Sequence, residues 1–235
     1  FVNDQVGGDA AQREHLAAAM VGRTRQGEPV VTSTGDANAG KDLNAFDYQG
    51  DPQGVHCPLG AHVRRANPRN ADLPGGGPGL FSWLKRTLGF DAQARERDRV
   101  ASTRFHRMLR RGREYGAPVS IDQALSGAAG SSDTGLHFIC LGASLARQFE
   151  FVQSAWMAST RFDGLRNESD PLLGTREPAA DGSPTNEFSM PQPGGPDRRV
   201  CGLPQFVTVV GGAYFFLPGI RALRYLASTR AQGSP

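Results

Sequence analysis

Apolar residues recur at helical spacing in the stretch AAQREHLAAAMVGR (residues 10–23), where Leu16, Ala19 and Met20 share a face with Arg23. That pattern predicts a helix ending near Gly22. Residues 24–56 lose the pattern and turn polar, with many Gly, Asp and Asn. They read as ordered loops anchored by Phe46 and Tyr48. A compact apolar run, GLHFICL (135–141), has strand length and leads directly into GASLARQFEFVQSAWM. There Leu145, Phe149, Val152 and Trp156 lie at i, i+4, i+7 and i+11, one helical face. Near the end, FVTVV (206–210) and AYFF (213–216) flank Gly211-Gly212, which predicts a hairpin with a two-glycine turn. Pro218 then stands near the start of a helix whose Leu217, Ile220, Leu223 and Leu226 line one face. Strand–helix and strand–strand–helix segments of this kind predict an α+β packing of layers.

Between these elements the pattern breaks. NADLPGGGPGLF (70–81) is a cluster of turn formers, and residues 82–100 read as an excursion with short helical turns. Residues 101–116 are dense in arginine, interleaved with Phe105, Met108, Leu109 and Tyr115. Residues 119–125 suit a short strand or turn, and the Pro/Gly/Asp/Asn-rich 163–203 a long loop lining something or a disordered stretch. The chain is thus expected to form one region, 1–235, with loop-rich excursions at 70–100 and 175–200.

Composition narrows the function classes. The 235 residues carry a net charge of +3, too weak to imply nucleic acid by itself. Lysine occurs only at 41 and 85, so arginine, the better fork for carboxylate or phosphate, supplies the positive charge. Cys57, Cys140 and Cys201 are widely spaced and odd in number, which predicts free thiols rather than a disulfide framework. No apolar run reaches 18 residues and no signal-type segment opens the chain. A cytoplasmic protein with no membrane span is expected.

The chemistry-bearing candidates are histidines set among arginines. His15 reads as exposed on the first helix, His56 has no metal geometry with Cys57, His137 alternates within a strand, and His106 sits in the arginine-rich segment. His62 differs by its neighbourhood, CPLGAHVRRANPR (57–69). Gly60 and Ala61 keep the approach small, and Arg64, Arg65 and Arg69 can clamp carboxylates. A planar anionic cofactor needing an axial imidazole, haem, suits that set. A phosphate-binding loop would use the same arginines. A second cluster, RRGREYG (110–116), reads either as an exposed basic turn or as a guanidinium projected into a pocket.

Taken in order, HCPLGAHVRRANPR (56–69), RMLRRGREYG (107–116), GLHFICLGASLARQFEFVQSAWM (135–157), DPLLG (170–174) and FVTVVGGAYFFLPGIRALRYLA (206–227) resemble the C-terminal part of dye-decolorizing (DyP-type) haem peroxidases. The resemblance implies an α+β fold of ferredoxin-like antiparallel sheets with helices, the dimeric α+β barrel. It implies haem b with His62 as the proximal ligand. Arg110 becomes the distal arginine, and Leu136 and Phe138 the apolar walls of the distal pocket. Arg64, Arg65 and Arg69 become contacts to the haem propionates. A carboxylate, Asp170 or Glu168, is expected on the other nitrogen of His62. The implied activity is reduction of hydrogen peroxide with oxidation of dyes, phenols or other small organic donors.

One departure qualifies this. The family's GxxDG motif, whose Asp is the distal acid–base group, does not occur; Asp163-Gly164 lacks the first Gly. The N-terminal half-domain is absent from the pattern. The alternative expectation is therefore a haem-binding protein without turnover, or a half completed by a homo-oligomer or a separate chain. A basic module binding an acidic partner or nucleic acid is the reading from a different class, and it predicts steeply salt-dependent binding without haem. The arginine runs are interrupted by apolar residues suited to a buried pocket, so no nucleic acid partner is expected.

Overall fold

A computed structural model describes residues 1–31, 43–69, 103–126 and 134–230. The excursion expected at 70–100 lies outside the described residues. A short helix α1 (Val2–Gln5) precedes α2 (Ala10–Val21). Asp9 caps α2 by accepting the Gln12 N–H at 2.9 Å, and Gly22 ends it at φ 90°, a left-handed turn that favours glycine. The predicted face of α2 is buried through Leu16, Ala19 and Met20.

That face packs on an antiparallel pair within the stretch read as loop. β3 (Glu187–Met190) pairs with β4 (Arg198–Cys201), and Phe188, Met190, Val200 and Leu203 join Val6 and the α2 face in one cluster. Alternation is too short in EFSM and RRVC to stand out from their Pro/Gly surroundings, so the 175–200 excursion is a core hairpin in part. A second cluster gathers Val31, Phe46, Tyr48, Cys57 and Ala61, which bears out the two aromatic anchors. A third holds Val152, Trp156, Met157 and Phe162. Helix α3 (His62–Ala66) is wedged between the last two, Val63 touching one and Ala66 the other.

The arginine-dense segment is itself a strand. β1 (Leu109–Tyr115) pairs antiparallel with β2 (Gly135–Leu141) from Leu109↔Leu141 to Tyr115↔Gly135. Residues 119–125 hold a helix, α4 (Ile121–Leu125), instead of a strand or turn. Ser120 and Gln123 form a capping box there, an S-x-x-Q signal that outweighs β-branched Val119 and Ile121. After β2 the chain winds as two wide π-helical stretches, Ala146–Glu150 and Val152–Met157, with i→i+5 bonds such as Glu150 N–H to Leu145 O. The wider turn breaks the predicted face: Val152 and Trp156 are buried, Phe149 is half-buried and Leu145 is exposed.

The predicted 206–216 hairpin does not form. Residues 202–219 contain no strand, and Val209, Val210, Phe215 and Phe216 are exposed. The helix α5 (Ile220–Arg230) follows as expected, with Ile220, Leu223 and Leu226 facing solvent. Two β-rich runs joined by Gly-Gly do not pair merely for being adjacent. A lone hairpin is marginal without a third strand or a covering layer. The α+β organisation is therefore as expected, and among the described residues its antiparallel sheet comes as two separate two-stranded ladders.

Candidate functional site

His62 opens α3, with the Ala61 N–H bonded to Pro58 O and the helix continued by Arg65 N–H to Ala61 O. Its Nδ1 meets both carboxylate oxygens of Asp170, at 3.2 and 3.1 Å. Asp170 is fully buried, whereas the imidazole keeps 26% of its surface exposed. The pair therefore points outward: Nδ1 is held by the interior, and nothing among the described residues bonds Nε2.

The carboxylate of Asp170 is fixed by the backbone as well. Leu172 and Leu173 donate their N–H groups to Oδ1 at 2.9 and 2.8 Å. Burial alone would raise the Asp170 carboxyl, but the bonds from His62 and the Leu173 and Leu172 N–H groups outweigh it and hold it below the usual carboxylate range. Glu168 goes the other way. Burial raises it, against the bonds from Ser189 and the charge of Arg65. Of the two expected partners for His62, Asp170 is the one in place. Glu168 accepts from the Ser189 N–H at 3.0 Å and from the Ser189 hydroxyl.

The arginines after His62 do not form the expected clamp. Arg64 is buried, donates to Asp51 O and Cys57 O at 2.9 and 2.8 Å, and lies 4.5 Å from the Tyr48 ring centroid. Arg65, wholly buried, donates to the carbonyls of Gly60, Trp156, Ser159 and Glu168. Its burial lowers its pKa to about 10, against the charges of Asp170 and Glu168. Arg69 donates to Asn44 O and Phe46 O over the Phe46 ring. The reading of Arg64 and Arg65 as carboxylate contacts is corrected: both guanidiniums are spent on backbone carbonyls of the interior. Gly60 is likewise small for the interior, since a Cβ there would stand 3.4 Å from Glu168 and from Phe188.

Asp51 was not singled out by the sequence. Its carboxylate accepts from the N–H groups of Val55, His56 and Cys57 and pairs with Arg64 at 3.6 Å. It shapes the loop that delivers α3. The Asp-Pro-Gln-Gly turn signal at 51–54 was the available clue. The three cysteines are free thiols, and burial pushes that of Cys57 up to about 12.

Arg110 lies on β1 opposite Cys140, and Gly112 stands opposite Phe138. Alternation places Arg110, Leu136 and Phe138 on one face of this ladder. Leu136 folds over Gly112, where a Cβ would sit 3.1 Å from it. The face is open, with Leu136 and Phe138 both exposed. Arg110 Nη1 donates to Ala66 O at 3.0 Å, so it reaches the helix of His62 one turn further along. A cavity of about 550 Å³ opens beside it, lined by Asn67, His106, Met108, Arg110 and Trp156; His62 does not line it. His106 stacks on Phe151 and is fixed by Arg147 O, a structural placement. His15 is exposed, and His137 leans on Tyr115.

A metal held by protein groups alone would need several donors, and no three His, Cys, Asp or Glu side chains gather among the described residues. A group that brings its own equatorial ligands and asks for one imidazole fits what is present. No described helix is long and apolar enough to cross a membrane.

No family model matches the chain. Among curated proteins it is 31% identical over 225 residues to the multifunctional dye peroxidase of Amycolatopsis sp., covering 91% of this chain and 42% of that protein. It is 30% identical over 229 residues to a dye-decolorizing peroxidase of Auricularia auricula-judae, covering 91% and 39%. Among solved structures, the Amycolatopsis enzyme superposes with a TM-score of 0.56 at 26% identity, over 87% of this chain and 40% of that one. A DyP-type peroxidase of Anabaena sp. gives 0.53 at 27%, over 85% and 37%. The chain spans about two fifths of the length of the relatives it matches. The segments that carry the resemblance, the outward-facing His62 and the shared fold agree: the chain has the fold of the DyP-type peroxidases and is similar to them over about two fifths of their length.

Proposed function

We propose that the chain carries the haem-holding part of a DyP-type peroxidase, which reduces hydrogen peroxide and oxidises dyes or phenolic and other small organic donors. The observation that carries this reading is the His62–Asp170 pair. Asp170 accepts the Nδ1 proton, which fixes the tautomer and leaves the Nε2 lone pair on the open side for an iron. Haem b bound there supplies the redox chemistry of peroxide cleavage. With the group bound, Arg110 would be the cation placed to stabilise charge developing on the peroxide oxygen, and Leu136 and Phe138, on the same strand face, would supply apolar walls beside it. Of the three arginines beyond His62, only half-buried Arg69 is retained as a contact for a carboxylate of the group.

Hemin titration tests the ligand. A saturable Soret shift that disappears in His62→Ala is expected, and a shift unchanged in that variant overturns the role of His62. Arg110→Leu should keep the Soret band and lower peroxide-driven dye turnover about 100-fold, the usual scale for one preorganised charge donor. Equal turnover would remove Arg110 from the reaction.

A second reading is a haem-binding chain without turnover of its own. Its supporting observation is that Arg110 is engaged with Ala66 O and that GxxDG is missing from the sequence. The open apolar face favours completion by another polypeptide, a second copy or the remaining part of the fold. Bound haem with no peroxide-driven spectral change would favour this second reading.

A further inference from the structure

Asp170 can orient His62 only if the turn that bears it is itself held, and the holder is a residue outside every motif. Arg176 sits six residues on, half-buried, and its guanidinium embraces three consecutive residues. Nη1 donates to the Ser169 hydroxyl at 3.0 Å and to Asp170 O at 3.1 Å, and Nη2 donates to Pro171 O at 2.7 Å. On its far side Nε donates to Pro204 O at 3.2 Å, just beyond the β3–β4 hairpin. The turn is drawn tight around this fork. Gly174 N–H bonds to Asp170 O at 2.9 Å, and a Cβ on Gly174 would overlap Ser169 Oγ. Asp170 N–H is tied to Met157 O at 3.0 Å.

We propose that Arg176 is the positioning residue of the His62–Asp170 pair, its fork on Ser169, Asp170 and Pro171 fixing the direction from which the Asp170 carboxylate meets His62 Nδ1. A planar guanidinium suits this task because one rigid group spans three acceptors; an ammonium cannot cover the same set. The fork leaves the carboxylate oxygens to His62 and the Leu172 and Leu173 N–H groups, so the positive charge steadies Asp170 without competing for His62. The link to Pro204 makes the geometry depend on the hairpin core as well as on the local turn. The consequence for iron rests on the haem reading above; the orientation of the pair does not.

The test uses the whole chain labelled with nitrogen-15 at histidine. In the unsubstituted protein without haem, His62 should show an Nδ1-protonated ring with a proton shielded from solvent exchange. Arg176→Gln should speed that exchange and mix the tautomers. The effect should vanish in the Asp170→Asn background, where the pair being positioned is gone. On the haem-loaded chain Arg176→Gln should weaken hemin binding about 10-fold, the lower end for loss of a group that orients a ligand. Should the glutamine variant not fold, Arg176→Lys, which keeps the charge but not the fork, carries the same comparison. An unchanged His62 ring in the variant overturns the proposal, and so does an equal change with Asp170→Asn, which would mean general loosening. If the unsubstituted chain takes up no hemin, the haem reading fails and the nitrogen-15 result still decides the role of Arg176.

Discussion

The His62–Asp170 region on one hand, and the β1–β2 ladder and segment 202–230 on the other, belong to one chain, yet they differ in completeness. In the first, polar groups find partners within the chain: Asp170 is capped by two backbone N–H groups, Arg65 covers four carbonyls, and Arg64 closes the loop before α3. In the second, Leu136, Ile139, Val210, Phe215 and Phe216 lie half or more exposed. Apolar side chains exposed in such number mark a region built for contact. Polar networks close locally because a hydrogen bond needs only one nearby partner. An apolar strand face needs a whole layer laid on it.

The comparison breaks most sharply at Arg65. Arg65→Met leaves four carbonyls without their donor and should cost about 3–5 kcal/mol in urea unfolding. A loss below about 1 kcal/mol would show that the network is replaceable by packing. Gly174→Ala forces a methyl against Ser169 and the Asp170 carbonyl, and about 1–3 kcal/mol of destabilisation is expected from such overpacking, read as a lowered thermal midpoint. An unchanged midpoint would mean that the turn can open at no cost.

The third test is pH. The folded Asp170 carboxyl lies below its ordinary value, so the folded state binds fewer protons there than the unfolded chain. Its stabilisation is complete above the unfolded value of about 3.9 and is lost as pH falls toward the folded one. Glu168, raised by burial, has the opposite sign and offsets part of the loss. Urea unfolding between neutral pH and pH 3 should therefore show an acid slope that Asp170→Asn flattens; the same slope in both proteins would remove Asp170 as its source. The smallest effect belongs to the open region. Phe215→Ser with Phe216→Ser should move stability by no more than about 0.5 kcal/mol, as at other exposed sites. Light scattering should meanwhile show weaker self-association, and scattering unchanged by the pair would mean that this segment is not where copies of the chain meet.

Much of the helix pattern was legible. Leu16, Ala19 and Met20 marked α2, and GLHFICL marked β2, because local apolar spacing and a clear stop at Gly22 sufficed. The β3–β4 hairpin was not legible, because four-residue strands among prolines and glycines carry too little alternation. The 206–216 hairpin was over-read, because strand propensity describes a surface that fits a sheet and not the presence of one. At the site, His62 stood out by its neighbours. The same neighbours misled about Arg64 and Arg65, since a guanidinium in sequence gives no sign of whether it faces a ligand or a loop carbonyl.

What the sequence by itself determined was the family resemblance, the identity of the outward-facing histidine and the narrowing of its acid partner to two residues. Only the tertiary structure chose Asp170 over Glu168 and brought Arg176 to the turn between them and the hairpin. It also committed Arg64 and Arg65 to the interior. The reason is distance along the chain: Asp170 lies 108 residues from His62, and no local rule relates residues so far apart. Their meeting is decided by how α3 packs on the π-helical segment and how the β3–β4 hairpin packs on α2, and the polar partners are those which that packing leaves within reach.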